Sequence, residues 1–121
     1  QIVKPNGAII CASECSEGFP DHGEYKKILT SSKTPNELLT LIQNPKHEIQ
    51  DQWQVQIQVQ IMSKCDIYLK SDSLSDEEIG NAHLSPISDI ETKIAELINI
   101  NPTSSICVLP EGPQTIPILV K

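Results

Sequence analysis

The side chains able to do chemistry are few and scattered. Four cysteines stand at 11, 15, 65 and 107, and three histidines at 22, 47 and 83. The cysteine spacing matches no paired-cysteine zinc pattern, and no histidine lies close in sequence to a cysteine pair. Cys11, Cys65 and Cys107 sit in short apolar runs, which predicts buried thiols acting as small hydrophobes in a reducing, cytoplasmic setting. Cys15 lies instead in a polar loop, Glu14-Cys15-Ser16-Glu17-Gly18. A nucleophilic thiol needs a lowered pKa, and the two glutamates push it the other way. The loop therefore reads first as a structural turn or a hinge. His22, His47 and His83 fall in polar segments and read as surface residues.

The remaining candidate is the run from Asp51 to Lys64, DQWQVQIQVQIMSK, which holds the only tryptophan. Val55, Ile57, Val59 and Ile61 alternate with Gln54, Gln56, Gln58 and Gln60, the period of a half-buried strand. Trp53, Ile57 and Ile61 also recur four apart, with Val55, Val59 and Met62 beside them, as on a helix. Simple counting favours a strand. Length and the N-cap candidate Asp51 favour a helix over 51–64, which is the expectation adopted. The glutamines then read as helix surface, and a lone tryptophan opening such a helix reads as core.

These segments must be positioned by a chain of 121 residues, enough for one domain with a real core. Net charge is −7 and all nine basic residues are lysines. The absence of arginine and of a basic patch argues against nucleic acid. No apolar run approaches the ~20 residues that span a bilayer, and no signal-peptide pattern is present. Ala8–Ala12, Asp66–Lys70 and Ser105–Leu109 read as buried strands, and Thr115–Val120 as at best an edge strand or extended arm, because of Pro117. Short helices are predicted over 23–31, after Thr34-Pro35-Asn36-Glu37, after Ser75-Asp76-Glu77-Glu78, and after Ser88-Asp89-Ile90-Glu91. In the last of these, Ile90, Ile94, Leu97 and Ile98 form an apolar stripe. Strands alternating with helices predict an α/β fold, a Rossmann-like layered domain with a mostly parallel sheet flanked by helices. Its ligand end would be the carboxyl end of the strands, although no glycine-rich phosphate cradle is present.

Four segments in order, SECSEG (13–18), DQWQ (51–54), SLSDEE (73–78) and LPEGPQTIP (109–117), resemble the C-terminal domain of the nickel-dependent lactate racemase family. The resemblance implies that residues 1–121 are one domain, the C-terminal fragment of a larger two-domain racemase-like protein. A start at Gln1 rather than Met agrees with that expectation. It implies a nickel-pincer nucleotide held mainly by the N-terminal domain, and a small 2-hydroxy acid racemised by hydride transfer to and from it. Among cleft residues, the family's tryptophan matches Trp53, with Gln54 beside it; the loop Glu14, Cys15, Ser16, Glu17, Gly18 becomes a cleft or hinge loop. No catalytic residue and no metal ligand falls within this fragment, which is expected to bind no cofactor and to be inactive by itself. Its partners would be its own N-terminal domain and the substrate, with no nucleic acid or membrane. The chain departs from the family at Phe19-Pro20, where a second glycine is usual, and at Gln114, where a tyrosine is common. Both lie at the cleft edge, so the substrate need not be lactate. The competing readings are a non-catalytic acidic α/β protein-interaction domain and an unrelated small enzyme using Cys15.

Overall fold

The computed structural model describes residues 2–46 and 48–118. The chain runs β1 (Ala8–Ala12), α1 (Tyr25–Leu29), α2 (Pro35–Ile42), α3 (Gln52–Met62), β2 (Asp66–Lys70), α4 (Asp76–Asn81), β3 (Ser85–Pro86) and α5 (Ile90–Ile100), then a 3-10 turn at Gly112–Gln114. The strands form a parallel sheet in the order β1-β2-β3, with Ala8 opposite Asp66 and Tyr68 opposite Ser85. Parallel pairing requires crossovers, and α1–α3 and α4 supply them. The fold is α/β, as the alternation of elements predicts.

Helix starts follow their local chemistry. Thr34 Oγ1 accepts from the Glu37 N–H at 3.2 Å, with Pro35 in the first turn. Asp89 Oδ2 accepts from the Thr92 N–H at 2.6 Å. At α4, Ser75 Oγ accepts from the Glu78 N–H at 3.2 Å, while the Glu78 carboxylate accepts from the Ser75 N–H at 2.9 Å. The Ser75 N–H, and after it the Ser75 hydroxyl, which also donates to the carboxylate at 2.9 Å, hold the Glu78 carboxyl below its ordinary pKa. A depressed folded pKa gives stability that is present above the unfolded carboxylate value and lost as pH falls through the folded one. Ser75→Ala removes the side-chain cap of α4, which should cost about 1 kcal/mol at neutral pH. It should also flatten the acid limb of a melting-temperature profile taken from about pH 7 down to about pH 3. An unchanged acid limb would mean that Glu78 draws nothing from the Ser75 hydroxyl, its backbone bond to residue 75 being kept in the variant.

The core lies among the helices. Ile28, Leu29, Leu38, Ile42, Val55, Val59 and Ala82 form one buried cluster. Side chains of this kind each contribute about 1.5–3 kcal/mol on full burial. Residues 52–62 are helical because only one narrow face goes inward. Val55 and Val59, one turn apart, are buried, and Met62 is partly buried behind them. Two glutamines are structural as well. Gln52 Nε2 donates to the Ile42 carbonyl at 2.9 Å, and Gln58 Nε2 donates to the Ala82 carbonyl at 2.7 Å while its oxygen accepts from Tyr25 Oη. Gln58 is thus a bridge between α1, α3 and the end of α4 rather than a surface residue. Burial pushes the Tyr25 hydroxyl pKa up.

Several expectations are corrected. Ser105–Leu109 is not a buried strand. It carries no strand pairing and is exposed throughout; an apolar run becomes a strand only where a partner strand lies alongside it, and none does here. The third strand is the two-residue β3 instead. Cys11 and Cys107 are exposed; only Cys65 is buried, and burial pushes its thiol pKa up. His83 is half-buried at φ 59°, its Nε2 2.9 Å from the Leu29 carbonyl oxygen. His22 is exposed, and His47 lies outside the described residues. In the tail, 115–118 form no strand, and Leu119 and Val120 lie outside the described residues.

Candidate functional site

The loop Glu14–Gly18 leaves the carboxyl end of β1 and is stitched to the loop that leaves β2. Ser13 N–H donates to the Lys70 carbonyl at 3.0 Å, and Ser71 Oγ donates to the Glu14 carbonyl at 2.9 Å. Within the loop, Gly18 N–H closes a turn on the Cys15 carbonyl at 2.8 Å. Cys15 and Gly18 both take left-handed backbone, φ 50° and 74°. The Cys15 thiol reaches only Ser13 Oγ, at 3.4 Å. Among the described residues no base is hydrogen-bonded to it, so the geometry supports the structural-turn reading over a nucleophile. Lys70 pairs with Asp72 beside the loop.

Trp53 reaches the same end of the sheet by a different route. β2 begins four residues after α3 ends and runs parallel to β1. Helix α3 must therefore carry the chain back from the carboxyl ends of the strands to their amino ends. Its eleven residues cover about 16 Å, about the length of a five-residue strand. The first turn of α3, with Trp53 and Gln54, consequently falls at the carboxyl end of the sheet. Trp53 is 62% exposed, and Ile57 and Ile61 continue its line along the helix at 50% and 38%. Gln54 is exposed beside it. The single tryptophan is not core, which corrects the reading from its neighbours alone. No hydrogen bond among the described residues links Trp53 or Gln54 to the Glu14–Gly18 loop, although they share an end of the sheet.

The start of α3 is fixed by a residue whose role the sequence obscures. Asp51 precedes the helix, but its side chain does not cap it; the residue sits at φ 66°, and it is its backbone carbonyl that accepts from a helix amide, Gln54 N–H at 3.0 Å. Its Oδ2 accepts instead from the Glu24 N–H at 3.0 Å, at the start of α1. Gly23, at φ 72°, makes the approach feasible: a Cβ there would stand 2.3 Å from Asp51 Oδ2. The partners are 27 residues apart, and no local pattern marks such a pair.

Among the described residues no group of three or more His, Cys, Asp and Glu is gathered where it could hold a metal ion. The donor set does not fit a nickel site. No described helix is long and apolar enough to cross a membrane. Two shallow surface depressions lie at the start of α5 and between α1 and α2, and neither Trp53 nor the Glu14–Gly18 loop lines them.

A search of the curated proteins finds no match. Among solved structures, the lactate racemase apoprotein from Thermoanaerobacterium thermosaccharolyticum is similar at 24% identity and a TM-score of 0.67, over 83% of this chain. The match spans 24% of that longer chain, and at this identity it speaks for the fold. The lactate racemase C-terminal domain family matches residues 1–117. Nearly the whole chain is covered by that match: it belongs to the lactate racemase C-terminal domain family.

Proposed function

We propose that this chain is the C-terminal domain of a two-domain 2-hydroxyacid racemase or epimerase, closing over a cleft whose reactive groups belong to an N-terminal domain. The observation that carries the reading beyond family membership is Trp53, which is 62% exposed at the carboxyl end of the sheet. A large apolar ring held in water there has a use when another domain closes on it. In this reading a nickel-pincer nucleotide would be held by the N-terminal domain, by residues outside this chain, and would supply a reversible hydride acceptor. The contribution of this chain is different. Trp53 excludes water from the reacting carbon and limits how the substrate sits. Gln54 offers an amide to a carboxylate or hydroxyl, and the Glu14–Gly18 loop, stitched to Ser71, forms the rim or hinge.

The test uses the protein encoded by the whole reading frame, loaded with its cofactor. A panel of single-enantiomer 2-hydroxy acids, each deuterated at the α-carbon, is incubated with it in ordinary water. Chiral analysis with mass spectrometry should show racemisation of at least one acid with deuterium retained, because the hydrogen that leaves also returns. Washout of deuterium would replace hydride transfer by proton abstraction. No racemisation of any acid would overturn the reading.

A further inference from the structure

The accessible surface is 9152 Å² for a chain of 13.4 kDa. A self-contained monomer of that mass exposes about 6,500 Å², so roughly 2,700 Å² is in excess. That is more than one partner contributes to a standard protein–protein interface, about 800 Å². Three features locate part of the excess. β1 is an edge strand whose second side is unpaired among the described residues. Trp53, Ile57 and Ile61 form an exposed apolar stripe on α3. Ser105–Leu109 is apolar and without a strand partner; Ile106 and Val108 are 56% and 77% exposed.

The handedness of parallel connections ties the three together. Crossovers between parallel strands are right-handed in nearly all cases. The step from β1 to β2 passes through α1–α3 and fixes the sheet face on which those helices lie. A strand on the free edge of β1 that led directly into β1 would step across the sheet in the same direction. Its helix would therefore lie on the same face, next to α3. The exposed stripe of α3 supplies an apolar surface for such a neighbour. The last helix obeys the opposite geometry. Successive side chains of β2 point to opposite faces: Leu69 is buried, whereas the Tyr68 ring meets α5 through Lys93, whose Nζ is 4.8 Å from the ring centre. A right-handed crossover on that second face runs back toward β1. Ser105–Leu109 is thus directed to the side of the sheet where β1 is open.

We propose that the free edge of β1 and the Ile57–Ile61 part of the α3 stripe, beyond Trp53 and away from the cleft end, together seat a strand–helix unit of the same polypeptide lying ahead of Gln1, and that Ser105–Leu109 pairs on the far side of that strand. The proposal rests on the reading of this chain as part of a longer racemase-like protein. The occupant follows from the handedness argument and from the solved relative, of which this chain covers only 24%. A strand in that place also explains why Ser105–Leu109 finds no partner: its neighbour is the strand not among these residues.

The test is residue-resolved amide exchange on the protein encoded by the whole reading frame, with alkylation of Ile57→Cys compared with Glu91→Cys, an exposed site on α5. Every amide from Ile9 to Ala12 and alternate amides at least of 106–109 should exchange at least about 100-fold slower than unstructured chain. Cys at 57 should alkylate at least about tenfold slower than Cys at 91. Alternating fast and slow amides along β1, with equal alkylation at 57 and 91, would overturn the proposal. Protection that weakens on dilution would overturn it too, because a second copy would then be covering the edge. A protein that racemises with an open β1 edge sinks this proposal alone; one with a protected edge and no racemisation sinks the proposed function alone.

Discussion

Trp53→Ala in the whole cofactor-loaded protein should lower racemisation by about 100-fold while moving the melting temperature little. A buried tryptophan cut to alanine costs about 3–5 kcal/mol of folding free energy. Trp53 is 62% exposed within this chain, so the chain's own core loses little when the ring is removed. Its effect falls on the reaction. Water gains access to the reacting carbon, and a small misplacement of the substrate is enough for a loss of about 100-fold. The measurement is paired, with turnover and melting temperature taken on the same variant. A large fall in melting temperature with near-normal turnover would make Trp53 an anchor between domains and remove it from the cleft.

The second large effect is expected at Gly23, against which Asp51 packs. Gly23→Ala must take left-handed backbone, at about 1–2 kcal/mol for a residue with a Cβ. It must also displace the Asp51 carboxylate, since the new Cβ would lie 2.3 Å from Oδ2. That oxygen is held by the Glu24 N–H at 3.0 Å, and a hydrogen bond to a charged group contributes about 1.5–3 kcal/mol. The sum is on the order of 3–4 kcal/mol. Gly18→Ala is the control: its backbone is also left-handed, at φ 74°, but no atom lies within 4 Å of its Cβ position. It should cost only the backbone part. Chemical denaturation of both variants gives the comparison. Equal losses would show that Asp51 moves aside freely.

What the sequence made legible divides by range. Caps are local, so Thr34, Ser75 and the stretch Ser88-Asp89-Ile90-Glu91 announced three helix starts that the structure reproduces, the third capped by Asp89. β1 and β2 were legible as apolar runs because both find a partner within the chain. Ser105–Leu109 has the same composition and no partner among the described residues, so the same rule failed there. Asp51 looked like a cap because caps are judged by position, while its carboxylate is committed to an amide 27 residues away. Gln58 looked like surface because polarity cannot reveal a bridge to Tyr25 and Ala82. Helical spacing alone could not decide which side of α3 faces out, since Val55/Val59 and Trp53/Ile57/Ile61 are both four-residue series. Family resemblance put Trp53 in the cleft; its exposure agrees with an outward ring and leaves the cleft to the assay.

The helical state of α3 has a consequence for the chain when it is not folded. From Gln54 to Ile61 there is no charge, proline or glycine, and β-branched residues alternate with amides. That is the signature of a segment that stacks into cross-β ladders, with glutamine side chains adding rungs of their own. Burial of Val55 and Val59 holds this stretch in a helix, where its backbone groups bond along the helix and not between molecules. Anything that loosens α3 from α1 and α2 releases a sequence ready for self-association. Each opening of that helix therefore exposes a route to self-association confined to one short uncharged stretch, whatever the net charge of −7 elsewhere.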